Sequence, residues 1–132
     1  MSLSEGLFIV FEGLDRCGKT TQSKLLTQYL QNVIKKPVKY ITFPYRKTHI
    51  GFIIDRYLQK KINLPDEAIH LLFSANRWEL NSYIIDKLKS GTFIVCDRYI
   101  YSGIAYSVAK GLDIKWCSFP DLGLIKPDMI FY

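Results

Sequence analysis

An apolar run, LFIVFE at residues 7–12, leads directly into GLDRCGKT at residues 13–20. No other feature restricts the fold as tightly. The second segment has the spacing G-x-x-x-x-G-K-[ST], and its setting is a buried strand, a tight turn and a helix start, the order that a phosphate-cradling loop needs. Gly13 and Gly18 let the backbone turn sharply and present N–H groups to a polyphosphate. Lys19 can reach the outer phosphates, and the Thr20 hydroxyl can sit on the Mg²⁺ that accompanies them. A helix starting near Lys19 aims its positive dipole end at the same anion. The chain therefore reads as a binder of a nucleoside triphosphate.

Strand and helix signals alternate from there on, which predicts an α/β fold with a parallel sheet covered on both faces. Residues 7–12 form a first, central strand. Residues 19–33 have helical periodicity, with Leu25, Leu26, Tyr29, Leu30 and Val33 on one side. Pro37 stops that helix, and 38–43 reads as a second strand. A short amphipathic helix follows at 51–61, and a long one at 66–89, opened near Pro65 and closed by Gly91. Residues 92–97 are a third buried strand, and 102–110 a helix stopped by Gly111. Residues 116–126 read as loop, and 129–132 begin a fourth strand. That last strand has no helix after it to cover it. The 132 residues are thus expected to be a single domain, 1–132, incomplete at its C-terminus.

Composition narrows the class. At 48% hydrophobic and 23% charged the chain is an ordinary globular one, and no apolar stretch approaches membrane-span length. The opening MSLSEG has no basic leader, so no signal peptide is expected. Cys17, Cys96 and Cys117 fit neither a zinc pattern nor a disulfide framework, which suits a reducing, cytoplasmic setting. The net charge of +6 is spread along the chain rather than gathered into a basic tail. It fits a cleft holding several phosphates better than a nucleic-acid surface.

In open parallel sheets, ligands bind where the carboxyl ends of strands meet loops. The first such end delivers Glu12 and the glycine-rich loop, the second Phe43-Pro44-Tyr45-Arg46, and the third Asp97-Arg98-Tyr99. Arg16, Lys19, Arg46 and Arg98 would then converge, and converging cations need an anion. Asp97 could hold Mg²⁺, accept a proton, or simply hydrogen-bond Thr20. Phe73 and Arg77 share a helix face, so one can stack on a base while the other donates to its carbonyl edge. Taken singly, Phe73 reads as core, Arg77 as surface, and His70 as a packing or surface residue.

GLDRCGKT, TFPYR, LLFSANRWE, DRYIYSGIAY and PDLGLIKPD, in that order, together resemble the thymidylate kinase family of P-loop nucleoside monophosphate kinases. The resemblance implies a three-layer P-loop NTPase fold, a central parallel sheet flanked by helices, and use of ATP, Mg²⁺ and dTMP by a homodimer. ATP would lie on Gly13, Leu14, Asp15, Arg16, Cys17, Gly18, Lys19, Thr20 and Thr21, and Mg²⁺ on Thr20 and Asp97. Asp15 would contact the sugar 3′-hydroxyl of dTMP. Arg46 and Arg98 would bind the monophosphate, with Phe43, Pro44 and Leu58 shaping the pocket. Phe73 would stack on thymine, with Arg77 on its carbonyl oxygen, and Ser102, Gly103 and Tyr106 would line the sugar side. Arg16, Lys19, Asp97 and Arg98 would be catalytic. A basic residue at position 16 resembles the subgroup of the eukaryotic and poxviral enzymes. The family continues past KPD-x-x-x-x with a lid, further helices and a last strand, none of which is in this sequence. The alternatives are a deoxynucleoside kinase, a broader deoxynucleotide kinase and, for a chain ending at Tyr132, a non-catalytic nucleotide-binding module.

Overall fold

The structure, a computed structural model, describes residues 5–13 and 18–132. Four strands, β1 (Phe8–Phe11), β2 (Val38–Thr42), β3 (Phe93–Asp97) and β4 (Met129–Phe131), form one sheet in the order β2-β3-β1-β4. Each neighbouring pair is parallel. All four β1 side chains are buried, as expected of a near-continuous apolar run at the centre of a parallel sheet. Alternation along the strand sends them to two different cores. Phe8 and Val10 meet Ile84 and Leu88 of α3 (Asp66–Lys89), together with Ile41, Ile94 and Cys96. Ile9, Phe11 and Val95 meet Leu26 and Leu30, contributed by α1 (Lys19–Tyr29) and the π-helical turn that follows it, Leu30–Ile34. Helices thus cover both faces, giving the expected three layers.

The long helix begins and ends where its sequence says. Asp66 and Glu67 occupy the first turn and Lys87 and Lys89 the last, complementing the helix dipole, and Gly91 takes the left-handed φ of 89° just past the end. Three expectations need correction. The first helix gives way to a π-turn at Leu30, and Leu25, Tyr29 and Val33 point to solvent. Its inward stripe is Lys19, Ser23 and Leu30, all buried, with Leu26 partly so, because Ser23 packs against the sheet with its hydroxyl donated to the Thr20 carbonyl. Residues 116–126 are not simply loop. They include the end of α5 (Ile114–Ser118), capped by the Asp113 carboxylate on Trp116 N–H, and a 3₁₀ turn at Phe119–Asp121. The two remaining helices, α2 (His49–Leu58) and α4 (Ile100–Ala109), each start two residues earlier than their hydrophobic patterns suggest. For α2 the Thr48 hydroxyl accepts from Gly51 N–H.

Candidate active site

The carboxyl ends of β2 and β3 and the start of α1 open into one cavity of about 770 Å³, within the range of small-molecule sites. Strand parity decides what enters it. On β3, Asp97 follows Val95 onto the α1 face. There it meets the start of α1, where Gly18 holds a φ of 85° that a side chain would disfavour. Thr20 Oγ1 donates to Asp97 Oδ2 at 2.8 Å, and Tyr40 Oη donates to the same oxygen at 3.3 Å. Lys19 Nζ lies 3.2 Å from Asp97 Oδ1 as an ion pair, but that oxygen accepts no aligned hydrogen bond. Asp97 and Lys19 are both buried. The arrangement is a lysine stored against a carboxylate, beside a hydroxyl whose proton is committed. Burial raises the Tyr40 phenol pKa, helped by the nearby Asp97 charge, so Tyr40 stays a donor.

The next residue, Arg98, leaves the strand in the left-handed region at a φ of 69°, with its N–H given to the Phe11 carbonyl at 2.8 Å. For a residue with a Cβ this backbone costs about 1–3 kcal/mol, and such outliers cluster at functional sites. Arg98 lines the cavity, as do Arg46, Lys47, Lys19 and Arg77, while Asp97 is the single carboxylate among the described lining residues. Lys19, Arg46 and Arg77 have acidic partners among the described contacts. Arg46 Nη1 bonds Asp55 Oδ1 at 2.5 Å in a half-exposed pair, and that hydrogen bond holds the Asp55 carboxyl below its ordinary pKa.

Arg77 is the main surprise. It is 3% exposed rather than a surface residue. Its Nε and Nη2 form a bidentate pair with Asp121 at 3.0 and 2.8 Å, and the Ser74 hydroxyl donates to the same carboxylate at 2.8 Å. The fork fixes the guanidinium plane and leaves Nη1 as the nitrogen the carboxylate does not take. A Cβ on Gly103 would come within 2.7 Å of that nitrogen, so only glycine lets α4 pass this close. Phe73, one turn away, lines the same cavity with its ring edge-on to Tyr106 at 5.4 Å.

Of the residues expected at the site, Lys19, Thr20, Phe43, Pro44, Arg46, Leu58, Phe73, Arg77, Asp97, Arg98, Ser102, Gly103 and Tyr106 all line this one cavity. Gly13 and Thr21 are described and exposed but not among its lining residues. Leu14, Asp15, Arg16 and Cys17 lie outside the described residues. Sequence reasoning missed four supports. Asp121 and Ser74 orient Arg77. Asn76 exchanges hydrogen bonds of 2.7 and 2.9 Å with the Tyr45 backbone, fastening the Phe43–Arg46 turn to α3. The buried Glu12 carboxylate accepts from the Tyr101 and Ser102 N–H groups and the Ser102 hydroxyl, capping α4. Asn76 and Ser74 were visible as polar residues on a buried helix face. The pairing of Asp121 with a residue 44 positions away was not.

A family model described as thymidylate kinase matches residues 11–132. The chain belongs to the thymidylate kinase family. It is 55% identical to a thymidylate kinase of Dictyostelium discoideum, over 98% of this chain and 59% of that one. To the Homo sapiens thymidylate kinase it is 44% identical, over the whole of this chain and 62% of the relative. A solved thymidylate kinase structure from Candida albicans superposes with a TM-score of 0.82 at 46% identity, covering 96% of this chain and 61% of that one. The chain thus spans about three-fifths of these relatives' lengths. The expected family and fold are both borne out.

Proposed function

We propose that the protein transfers the γ-phosphoryl group of ATP to dTMP, giving ADP and dTDP. One observation carries this reading. The Lys19–Thr20–Asp97 cluster and the Phe73–Arg77 pair open into a single cavity that Arg46 and Arg98 also line. The first cluster suits a polyphosphate, the second an aromatic base with a carbonyl edge, and the arginines a monophosphate between them.

A divalent cation fits the residues present. Among the described residues no group of three or more His, Cys, Asp and Glu side chains could hold a metal unaided. Thr20 Oγ1 and the Asp97 oxygen without a hydrogen bond offer two oxygen donors, and Mg²⁺ usually completes its shell with water and substrate phosphate. When bound, Mg²⁺ would neutralise charge on the phosphates. Lys19 leaves its pair with Asp97 to reach the outer phosphates. Phe73 and Arg77 hold the acceptor base, and Arg46 and Arg98 orient its phosphate. An acceptor phosphate oxygen attacks the γ-phosphorus in line, the bond to the β-bridging oxygen breaks, and that oxygen keeps the electron pair as ADP leaves. Preorganised cations such as Arg98, with Arg16 by family resemblance, stabilise the transferring group without reorganisation at the moment of reaction.

The test is Arg98→Ala together with Arg98→Gly, the latter suited to the left-handed backbone. Turnover with dTMP should fall by about a hundredfold or more in both, with thermal unfolding little changed. A near-wild-type rate in either folded variant overturns the assignment. Assembly as a homodimer in the cytoplasm belongs to the same proposal. Exposed Phe119 and Leu122 lie on the turn against which the half-exposed Trp78 packs through its bond to the Pro120 carbonyl, a surface suited to a second copy. No helix among the described residues is long and apolar enough to cross a membrane.

A further inference from the structure

Tyr106 and Leu58 each line two cavities, the nucleotide-sized one and a neighbour of about 580 Å³. A ring that borders open space in two cavities lacks part of the packing that normally fixes a rotamer. Tyr106 is 37% exposed, and its aromatic support from α3 is the edge contact with Phe73. Among the described contacts, the Tyr57 hydroxyl and Lys110, just past the end of α4, also hold it. The ammonium lies 4.6 Å from the Tyr106 ring centroid and 5.0 Å from that of Tyr57. It also donates a hydrogen bond to the Tyr57 hydroxyl and sits 3.5 Å from Asp66 Oδ1. One side chain therefore ties together the end of α2, the start of α3 and the end of α4, with the Tyr106 ring in the middle.

We infer that Lys110 is a positioning residue that pins the Tyr106 ring as a fixed wall of the nucleotide cavity and so sets the affinity and sugar selectivity of that cavity. The physical case is that a lysine tied to Tyr57 and Asp66 loses little by staying against the Tyr106 ring, while that ring gains freedom to reorient if the cation goes. The bland alternative is a partly exposed lysine with a weak pair to Asp66, worth little by itself. The hydrogen bond to Tyr57 on α2 and the ion pair with Asp66 on α3 argue against it, because a solvated lysine does not need partners on two other helices. The phenols respond to the same contacts: the Lys110 hydrogen bond lowers the Tyr57 pKa, whereas burial raises that of Tyr106. The inference rests on the dTMP reading for its choice of ligand, but not for its geometry.

The experiment compares wild type, Lys110→Met and Lys110→Arg of the full gene product. Steady-state kinetics are read with dTMP and with its ribo counterpart, and ring-flip rates are read from fluorotyrosine NMR. For Lys110→Met, KM for dTMP should rise about fivefold, kcat should change less than KM, and the preference for deoxyribose should narrow by a similar factor. Lys110→Arg, which keeps a cation against the Tyr106 ring, should recover most of the loss. The Tyr106 ring should flip faster in the Met variant alone. A folded Lys110→Met protein with wild-type KM, selectivity and ring-flip rate would overturn the inference. If wild type shows no dTMP turnover, the dTMP reading fails instead. The NMR arm then decides: faster flipping in Lys110→Met upholds the positioning role, and an unchanged rate removes it.

Discussion

Replacing Asp121 by alanine should destabilise the chain far more than removing an ordinary polar side chain, and the loss should depend on Arg77. The Asp121 carboxylate, like the guanidinium it faces, is 3% exposed. Alanine removes both acceptors of the fork and the acceptor of the Ser74 hydroxyl, three hydrogen bonds in all. The guanidinium cannot shed its proton to escape, so it stays charged and buried. Breaking one side of a buried pair costs about 3–5 kcal/mol, whereas replacing both sides with apolar groups is often close to neutral. Asp121→Ala should therefore lose about 3–5 kcal/mol in urea unfolding, and Asp121→Ala with Arg77→Met should regain about 2 kcal/mol or more relative to the sum of the single variants. Linear extrapolation from matched unfolding curves measures both numbers. A loss below about 1 kcal/mol for Asp121→Ala, or additivity within about 0.5 kcal/mol, would refute the buried-fork account. The double variant should be stable and yet bind dTMP poorly, which separates the fold's use of Arg77 from the ligand's.

Other consequences can be checked more briefly. Gly103→Ala would press a methyl group onto Arg77 Nη1 at 2.7 Å, so it should cost about 1–3 kcal/mol and raise KM for dTMP. Asp97→Asn should cut Mg-ATP-dependent turnover by about a hundredfold or more, because it weakens both the hold on Thr20 and the oxygen offered to the cation. Burial holds the Cys96 thiol pKa well above its ordinary value, and burial likewise raises that of Tyr99. The unfolded chain then releases these protons at lower pH than the folded one. Stability from both groups is complete below about pH 9 and should decline as pH rises beyond it, read as a falling urea midpoint. The same burial predicts that Cys96 resists thiol reagents in the native protein and reacts once it unfolds.

The sheet, its helices and the cleft were legible because their signals are local. A strand that is apolar on both faces, a glycine-rich turn and a helix start occupy adjacent residues, and each strand end carries its polar group in sequence. What escaped was whatever depends on contacts across the chain. Hydrophobic periodicity put Leu25 and Val33 on the wrong side because the true packing face of α1 includes a serine and a lysine committed to the sheet and to Asp97. Arg77 taken singly read as a surface residue, and Asn76 carried no reading of its own, until Asp121 and the Tyr45 backbone met them. The helix at Ile114–Ser118 is one and a half turns long, too short for a periodic signal, and only its Asp113 cap marks it.

The most direct test of the central claim is acceptor-dependent ADP release from Mg-ATP, with dTMP, dUMP, dGMP and thymidine run in parallel. It should be carried out on both the 132-residue chain and the full gene product. Turnover by the full gene product with dTMP, exceeding that with the other three acceptors, is the predicted result. Turnover with thymidine but not dTMP, or none above the acceptor-free background, would contradict it.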